Sequence, residues 1–211
     1  AQLSRGLGDV YKRQSLNRRF AIIANRAPSS GNLNLNDLPG SGGRMDVIAR
    51  AINSALFLSH GIRNDTQIIV HLMGTGAPRR VFLDGSDLRG VRPDERSISG
   101  HFKSLIRTPV PPIGRFEDVS SGIRQSGGDI TQTLSEWQDE GVKCYVLDRE
   151  GDDISDTNIE GKCGFILSDD MLLELEKRDM EGAISISLGK TWLQGHSCIT
   201  IVHYHIDSQI Q

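Results

Sequence analysis

Arg44, Asp46 and Arg50 stand at i, i+2 and i+6 where an apolar-periodic segment opens. Two guanidiniums beside one carboxylate at a helix start suit an anionic backbone and can orient one polar group. The same trio also reads as a solvated ion-pair cluster. Just upstream, Gly40-Ser41-Gly42-Gly43 could cradle a phosphate with backbone N–H groups and the dipole of the following helix. The Lys-Ser/Thr of a P-loop is missing and no GxGxxG follows a strand, so a nucleotide site competes with a turn that gives the helix room to start. Ser59, His60, Arg63 and Asp65 are the residue types of a hydrolase, yet no GxSxG turn presents a strained nucleophile. Cys198, His203 and His205 spell C-x4-H-x-H, with His196 two residues upstream of Cys198. No common zinc spacing matches, and no metal is expected.

These groups need a folded core to hold them. The chain has 211 residues, 37% of them hydrophobic, with 24 Lys plus Arg against 27 Asp plus Glu and a net charge of −3. That excludes a disordered chain, a collagen and a disulfide scaffold, and it suits one compact domain. The mild acidity argues against a basic coat over the whole surface and leaves room for a local basic patch. Three cysteines, Cys144, Cys163 and Cys198, without a CxxC spacing fit a reducing cytoplasm. No run approaches the roughly 18 apolar residues of a membrane span, so a soluble protein without a membrane partner is expected. Residues 1–14 read AQLSRGLGDVYKRQ, with neither an apolar h-region nor periodicity, and RGLGDVYKRQ resembles a translated sequencing adapter. Setting them aside leaves one domain over residues 15–211; a genuine basic arm is the other reading.

The elements alternate. Residues 20–25 (FAIIAN) read as a buried strand running into a loop. Over residues 46–59, Val47, Ile48, Ala51, Ile52, Ala55, Leu56 and Leu58 predict a helix, with Asp46 placed to serve its free N–H groups. Residues 67–73 and 80–83 read as strands, and residues 95–107 as a helix stopped by Pro109, Pro111 and Pro112. A further helix carries Ile130, Leu134 and Trp137, followed by Gly141 and a strand over 143–147. Short strands at 164–167 and 183–187 enclose an acidic helix over 169–178. This α/β alternation predicts a mostly parallel sheet with helices on both faces and a ligand site at the carboxyl ends of the strands. Residues 198–206 fit a strand by composition and a helix by spacing.

Residues 36–65 (NDLPGSGGRMDVIARAINSALFLSHGIRND), followed by Asp84-Gly85-Ser86 and Pro93-Asp94-Glu95-Arg96, resemble the archaeal tRNA pseudouridine N1-methyltransferases, which act at position 54 of the T-arm. GFILSDD at 164–170, ISLGKTWL at 186–193 and HSCITIVHYHID at 196–207 resemble that family's cofactor-binding half. The likeness runs from about residue 18 to residue 207. It implies a SPOUT-type α/β fold with a deep C-terminal trefoil knot, a homodimer, and a helix in the ambiguous tail. It also implies tRNA as partner and S-adenosylmethionine (SAM) as cofactor. By motif the cofactor contacts fall at Leu147, Ser168, Ile186, Ser187, Leu188, Gly189, Lys190, Thr191, Leu193 and Cys198.

Two loops depart from the family. Ser168-Asp169-Asp170 stands where Gly-Asp-His is usual, and Gly189-Lys190 where a Pro tends to follow the Ser-Leu turn. Lys190 is expected to point to solvent or RNA, away from a sulfonium. N1 of pseudouridine carries a proton, so a polar group must accept it or stabilise the charge left on the ring. That role falls to Asp46, with Arg44 or Arg96 stabilising negative charge. RNA binding is expected from Arg44, Arg50, Arg63 and Arg96, with Arg79, Arg80, Arg89 and Arg92 added. An rRNA pseudouridine N1-methyltransferase and a non-catalytic RNA-binding relative are the alternatives.

Overall fold

The computed structural model describes residues 16–175 and 181–210; the adapter-like residues 1–14 lie outside them. In chain order the elements are β1 (Asn17–Ala24), α1 (Met45–Leu56), β2 (Phe57–Leu58), β3 (Gly61–Ile62), β4 (Thr66–Leu72), β5 (Arg79–Asp84) and α2 (Glu95–Leu105). Then come β6 (Glu117–Ser120), β7 (Ile123–Gly127), α3 (Ile130–Asp139), β8 (Lys143–Asp153), β9 (Lys162–Ser168), β10 (Ile184–Ser187) and α4 (Gly195–Ile210).

Eight strands form one sheet in the order β10-β8-β9-β1-β4-β5-β7-β6, and β2 pairs with β3 apart from it. The five strands from β10 to β4 are parallel, and β5, β7 and β6 add an antiparallel flank. Strand β1 lies between β4 and β9, with Phe20 level with Ile68 on one side and Phe165 on the other. Both faces of such a strand are covered, which is why FAIIA is continuously apolar. Phe20, Ile22 and Ala24 point into a core with Ile48 and Ile52 of α1 and Ile199, Val202 and Ile206 of α4. Ala21, Ile69 and Ile166 point the other way, against Trp137 of α3. Trp137 packs so closely on β9 that a Cβ at Gly164 would come within 2.3 Å of its ring.

Local chemistry sets the helix ends. Asp94 caps α2 by accepting from Ser97 N, and Asp129 with Gln132 forms a capping box on α3. Helix α1 has no side-chain cap; it begins after Arg44 in a left-handed conformation (φ 65°), and Asp46 is engaged by arginines instead. It stops at Leu56, three residues before its expected end, because Phe57 and Leu58 turn extended and pair with Gly61 and Ile62.

The acidic helix expected over 169–178 is absent across 169–175; the rest of that stretch lies outside the described residues. Asp169 explains the difference. Its carboxylate accepts from Met171 N, Asn25 N and Asn25 Nδ2, tying the segment to the end of β1 in place of a helical turn. The ambiguous tail is helical, as α4.

Candidate active site

A cavity of about 440 Å³ opens at the carboxyl ends of β9 and β10 and beside the middle of β8, at the edge of the sheet where a parallel α/β protein should place its ligand. Leu147, Asp148 and Arg149 come from the middle of β8, residues 167–173 end and follow β9, and Leu188, Gly189 and Thr191 to Gln194 follow β10. Helix α4 adds Gly195 and Cys198, and the start of α1 adds Arg44 and Val47. Ser187 pins the loop after β10 to strand β8, since its hydroxyl donates to Arg149 O and accepts from Gly189 N, both at 3.1 Å. Ser168, the side chain standing where a glycine was usual, directs its hydroxyl to accept from Asn25 Nδ2 at 3.0 Å.

A charged relay runs from this cavity along α1. Asp46 is only 8% exposed, and its oxygens accept from Arg44 Nε at 3.0 Å, Arg44 Nη2 at 3.2 Å and Arg50 Nη2 at 2.5 Å. Arg50 also faces Glu95 of α2 at 3.6 Å. On the cavity side, Arg44 Nη1 donates to Asp170, which accepts a second hydrogen bond from Arg26 Nη2. Burial pushes the Asp46 carboxyl up, but the hydrogen bonds and charges of Arg44 and Arg50 outweigh it and hold it below the usual carboxylate range. Asp170 is likewise lowered, first by the hydrogen bond from Arg26 and then, against burial, by the charges of Arg44 and Arg26.

The glycine turn serves as scaffold here. Asp37 fills the place a phosphate would take, its carboxylate accepting from Gly40 N, Ser41 N and the Ser41 hydroxyl. Gly43 combines φ 64° with a Cβ position 2.2 Å from Arg26 O, so only glycine brings the start of α1 this close to the end of β1.

Of the residues singled out from the sequence, Leu147, Ser168, Leu188, Gly189, Thr191, Leu193 and Cys198 line the cavity together with Arg44. Ile186 is buried in the core, Ser187 holds the loop after β10, and Lys190 is exposed outside the lining. Arg96 is exposed beside the glycine-turn loop, reaching Leu35 O and Asn36 Oδ1 at 3.4 Å. Arg63 is tied to Asp207 of α4 at 2.9 Å. Arg89 and Arg92 are exposed.

Arg79 and Arg80 correct an expectation: both are fully buried and neither can meet RNA. Arg79 donates to Leu105 O, Thr108 O and Gln125 Oε1, and Arg80 forms a two-pronged ion pair with Glu136. Helical geometry likewise separates the C-x4-H-x-H residues. His203 contacts Arg18 and Ala55 O, His205 contacts Thr157 O, and among the described residues no His, Cys, Asp and Glu group is placed to hold a metal. Asn25 and Arg26 are not among the residues singled out from the sequence, and Asp169 and Asp170 stand there only as a departure in the cofactor loop. Their shared signal is position: the first two follow one buried parallel strand, and the latter two follow another.

A family model of SAM-dependent RNA methyltransferases matches residues 17–210. The tRNA (pseudouridine(54)-N(1))-methyltransferase of Methanococcoides burtonii is 35% identical over 92% of this chain and 97% of its own length. The protein of that name from Methanosarcina acetivorans is 39% identical over 90% of each chain. Among solved structures, Archaeoglobus fulgidus Nep1 bound to S-adenosylhomocysteine superposes with a TM-score of 0.61 at 11% identity, covering 92% of this chain and 98% of that one. That likeness carries the fold alone, and it is to a protein of the SPOUT type. With a family match across nearly its whole described length and relatives above one-third identity at this coverage, the chain belongs to the SAM-dependent RNA methyltransferases.

Proposed function

We propose that this chain methylates N1 of pseudouridine 54 in the T-arm of tRNA, with SAM as methyl donor. The observation that carries the reading is the junction of the cavity with the Arg44-Asp46-Arg50 relay, backed by the names of the relatives above. The cavity fits the cofactor in size and chemistry: leucines 147, 167, 188 and 193 supply apolar wall, and Asp148 and Asp169 supply negative charge for a cation. When bound, SAM supplies an electrophilic methyl on a sulfonium. The residues implied by the family motif, Leu147, Ser168, Ile186 to Thr191, Leu193 and Cys198, would hold it, with Ile186 and Ser187 acting by supporting the loops.

The protein's own part is placement and charge. With SAM bound, N1 would take the methyl as the sulfur leaves as a neutral thioether, and the N1 proton would pass to solvent at the open cavity. Arg44, between Asp46 and the cavity, stabilises negative charge on the ring carbonyls. Asp46 holds Arg44 and Arg50 in place and accepts the N1–H hydrogen bond; its lowered pKa makes it a stronger orienting group than proton acceptor. Arg50 and Arg96, with Arg89 and Arg92, offer charge to RNA phosphates.

The proposal includes a homodimer, for which Trp192 and Tyr204, 70% and 75% exposed, offer apolar surface. It also includes the trefoil knot. Strand β10 lies at the sheet edge beyond β8, yet Gly195 at the start of α4 lies near Leu167 of β9 and Ile22 of β1, so the chain passes back across β8, which supports that reading. Residence in the cytoplasm is supported by the three free cysteines. No described helix is long and apolar enough to cross a membrane.

The test is transfer of labelled methyl from SAM to T-arm stem-loops bearing pseudouridine or uridine at the same loop position, with a small-subunit rRNA hairpin as a third substrate. Label in the pseudouridine stem-loop alone is the expected result. Preference for the hairpin would move the enzyme to rRNA, and failure to bind SAM would leave an RNA-binding protein without catalysis.

A further inference from the structure

Asp170 stands between the cavity and two arginines. The residue lines the cavity, and one of its carboxylate oxygens, Oδ2, accepts hydrogen bonds from both Arg26 and Arg44. The Arg26 side chain is 50% exposed and that of Arg44, which also lines the cavity, 27%. The neighbouring carboxylates are engaged differently. Asp169 accepts from Asn25 and Met171, and Asp148 from Glu150 N. Arg26, together with Arg44, which Asp170 shares with Asp46, cancels the Asp170 charge toward the cavity. Phosphates bind arginine forks as carboxylates do, so an RNA backbone at this rim competes with Asp170 for the same donors.

We propose that Asp170 is a positioning residue and a counter-ion shared between the two ligands: it holds Arg26 and Arg44 in the free protein, and its charge turns toward the cofactor once RNA phosphates draw those arginines away. The inference rests on the cofactor reading of the cavity given above. Its consequence is a charge-dependent coupling between the two sites. SAM carries a sulfonium cation, and its demethylated product S-adenosylhomocysteine is a neutral thioether. Bound RNA therefore raises affinity for SAM relative to the product, and by linkage SAM tightens RNA more than the product does.

Calorimetric titration of SAM and of S-adenosylhomocysteine tests this, with and without a T-arm stem-loop carrying uridine at the target position so that no methyl moves. In the wild-type chain the stem-loop should raise the preference for SAM by about fivefold or more. Asp170→Asn should lose most of that gain while keeping direct attraction between RNA and the sulfonium. Asp170→Glu should restore it. Arg26→Ala, which removes one of the two neutralising cations, should raise the preference for SAM without RNA, opposite to Asp170→Asn. An unchanged RNA-dependent preference in Asp170→Asn overturns the inference, as do shifts of the same sign in Asp170→Asn and Arg26→Ala. A wild-type chain that binds neither compound overturns the cofactor reading together with it. A chain that binds SAM and methylates pseudouridine RNA, yet shows no coupling through Asp170, overturns the inference alone.

Discussion

Asp46, proposed above to position Arg44 and Arg50, is held below the usual carboxylate range by them, and its removal takes away the one carboxylate the two arginines share, leaving Arg44 on Asp170 and Arg50 on Glu95. Asp46→Asn should lower single-turnover methyl transfer at saturating RNA and cofactor by about 10²-fold or more, with SAM affinity by calorimetry nearly unchanged. Wild-type turnover would remove Asp46 from the mechanism. Arg80 makes the opposite case. It sits fully buried on Glu136, so Arg80→Ala should destabilise the fold by about 2–4 kcal/mol in urea melts. RNA affinity and its salt dependence, measured by fluorescence anisotropy where the variant is folded, should not change. A reduced salt slope would return Arg80 to the RNA face.

At the scale of elements, the site depends on how α1 begins. Its first residues reach the cavity only because Gly43 passes against Arg26 O in a left-handed conformation. Gly43→Ala should cost about 1–3 kcal/mol of stability and lower methyl transfer further by moving Arg44. A variant with unaltered urea midpoint and rate would show that the junction tolerates a shift. The β10 loop works similarly through Ser187, whose hydroxyl bridges Arg149 O and Gly189 N. Strands β6 and β7 were not visible in the sequence. All four residues of β6 are exposed and the stretch 117–127 is mostly polar, so neither alternation nor a buried apolar run marks it.

Across the whole molecule, two histidines are buried with neutral rings. Burial, with the positive charge of Arg80, takes His71 down to about 4. Burial and the charges of Arg63 and Arg18 take His203 down to about 3, with Ala55 O and Asp207 opposing. A histidine whose folded pKa is depressed binds protons more readily unfolded, so its stabilisation is complete above pH ~6.5 and declines below. Stability should therefore fall by up to about 1.4 kcal/mol per pH unit for each histidine between pH 6 and 4, the His71 share tailing off first as pH nears its folded value of about 4, as read from urea melts. His203→Gln should flatten the lower part of that profile; an identical slope would assign the loss to other groups. The His203 end of the network also joins α4 to β1, since Arg18 contacts both His203 and Asp207.

The α/β class, the order of most strands and helices, and the placement of a ligand site at the strand carboxyl ends were all legible in the sequence. Each follows from periodicity, turn residues and the rule for parallel sheets, which are local or statistical in character. Residue types and motif likeness also pointed to Arg44, Asp46, Leu147 of β8 and the loops after β9 and β10. Only the tertiary structure decided which arginines serve the interior and which the surface, because Arg79, Arg80, Arg63 and Arg44 carry the same charge and differ only in what folds against them. In the tail, composition and spacing disagreed and the family likeness implied the helix; the structure shows it as α4 and supplies the reason, the surface of α1 and the sheet on which Ile199, Val202 and Ile206 pack. The join of Asp170 to Arg26 and Arg44 was beyond reach for the same reason: separations of 144 and 126 residues along the chain close only when β1, α1 and β9 lie side by side.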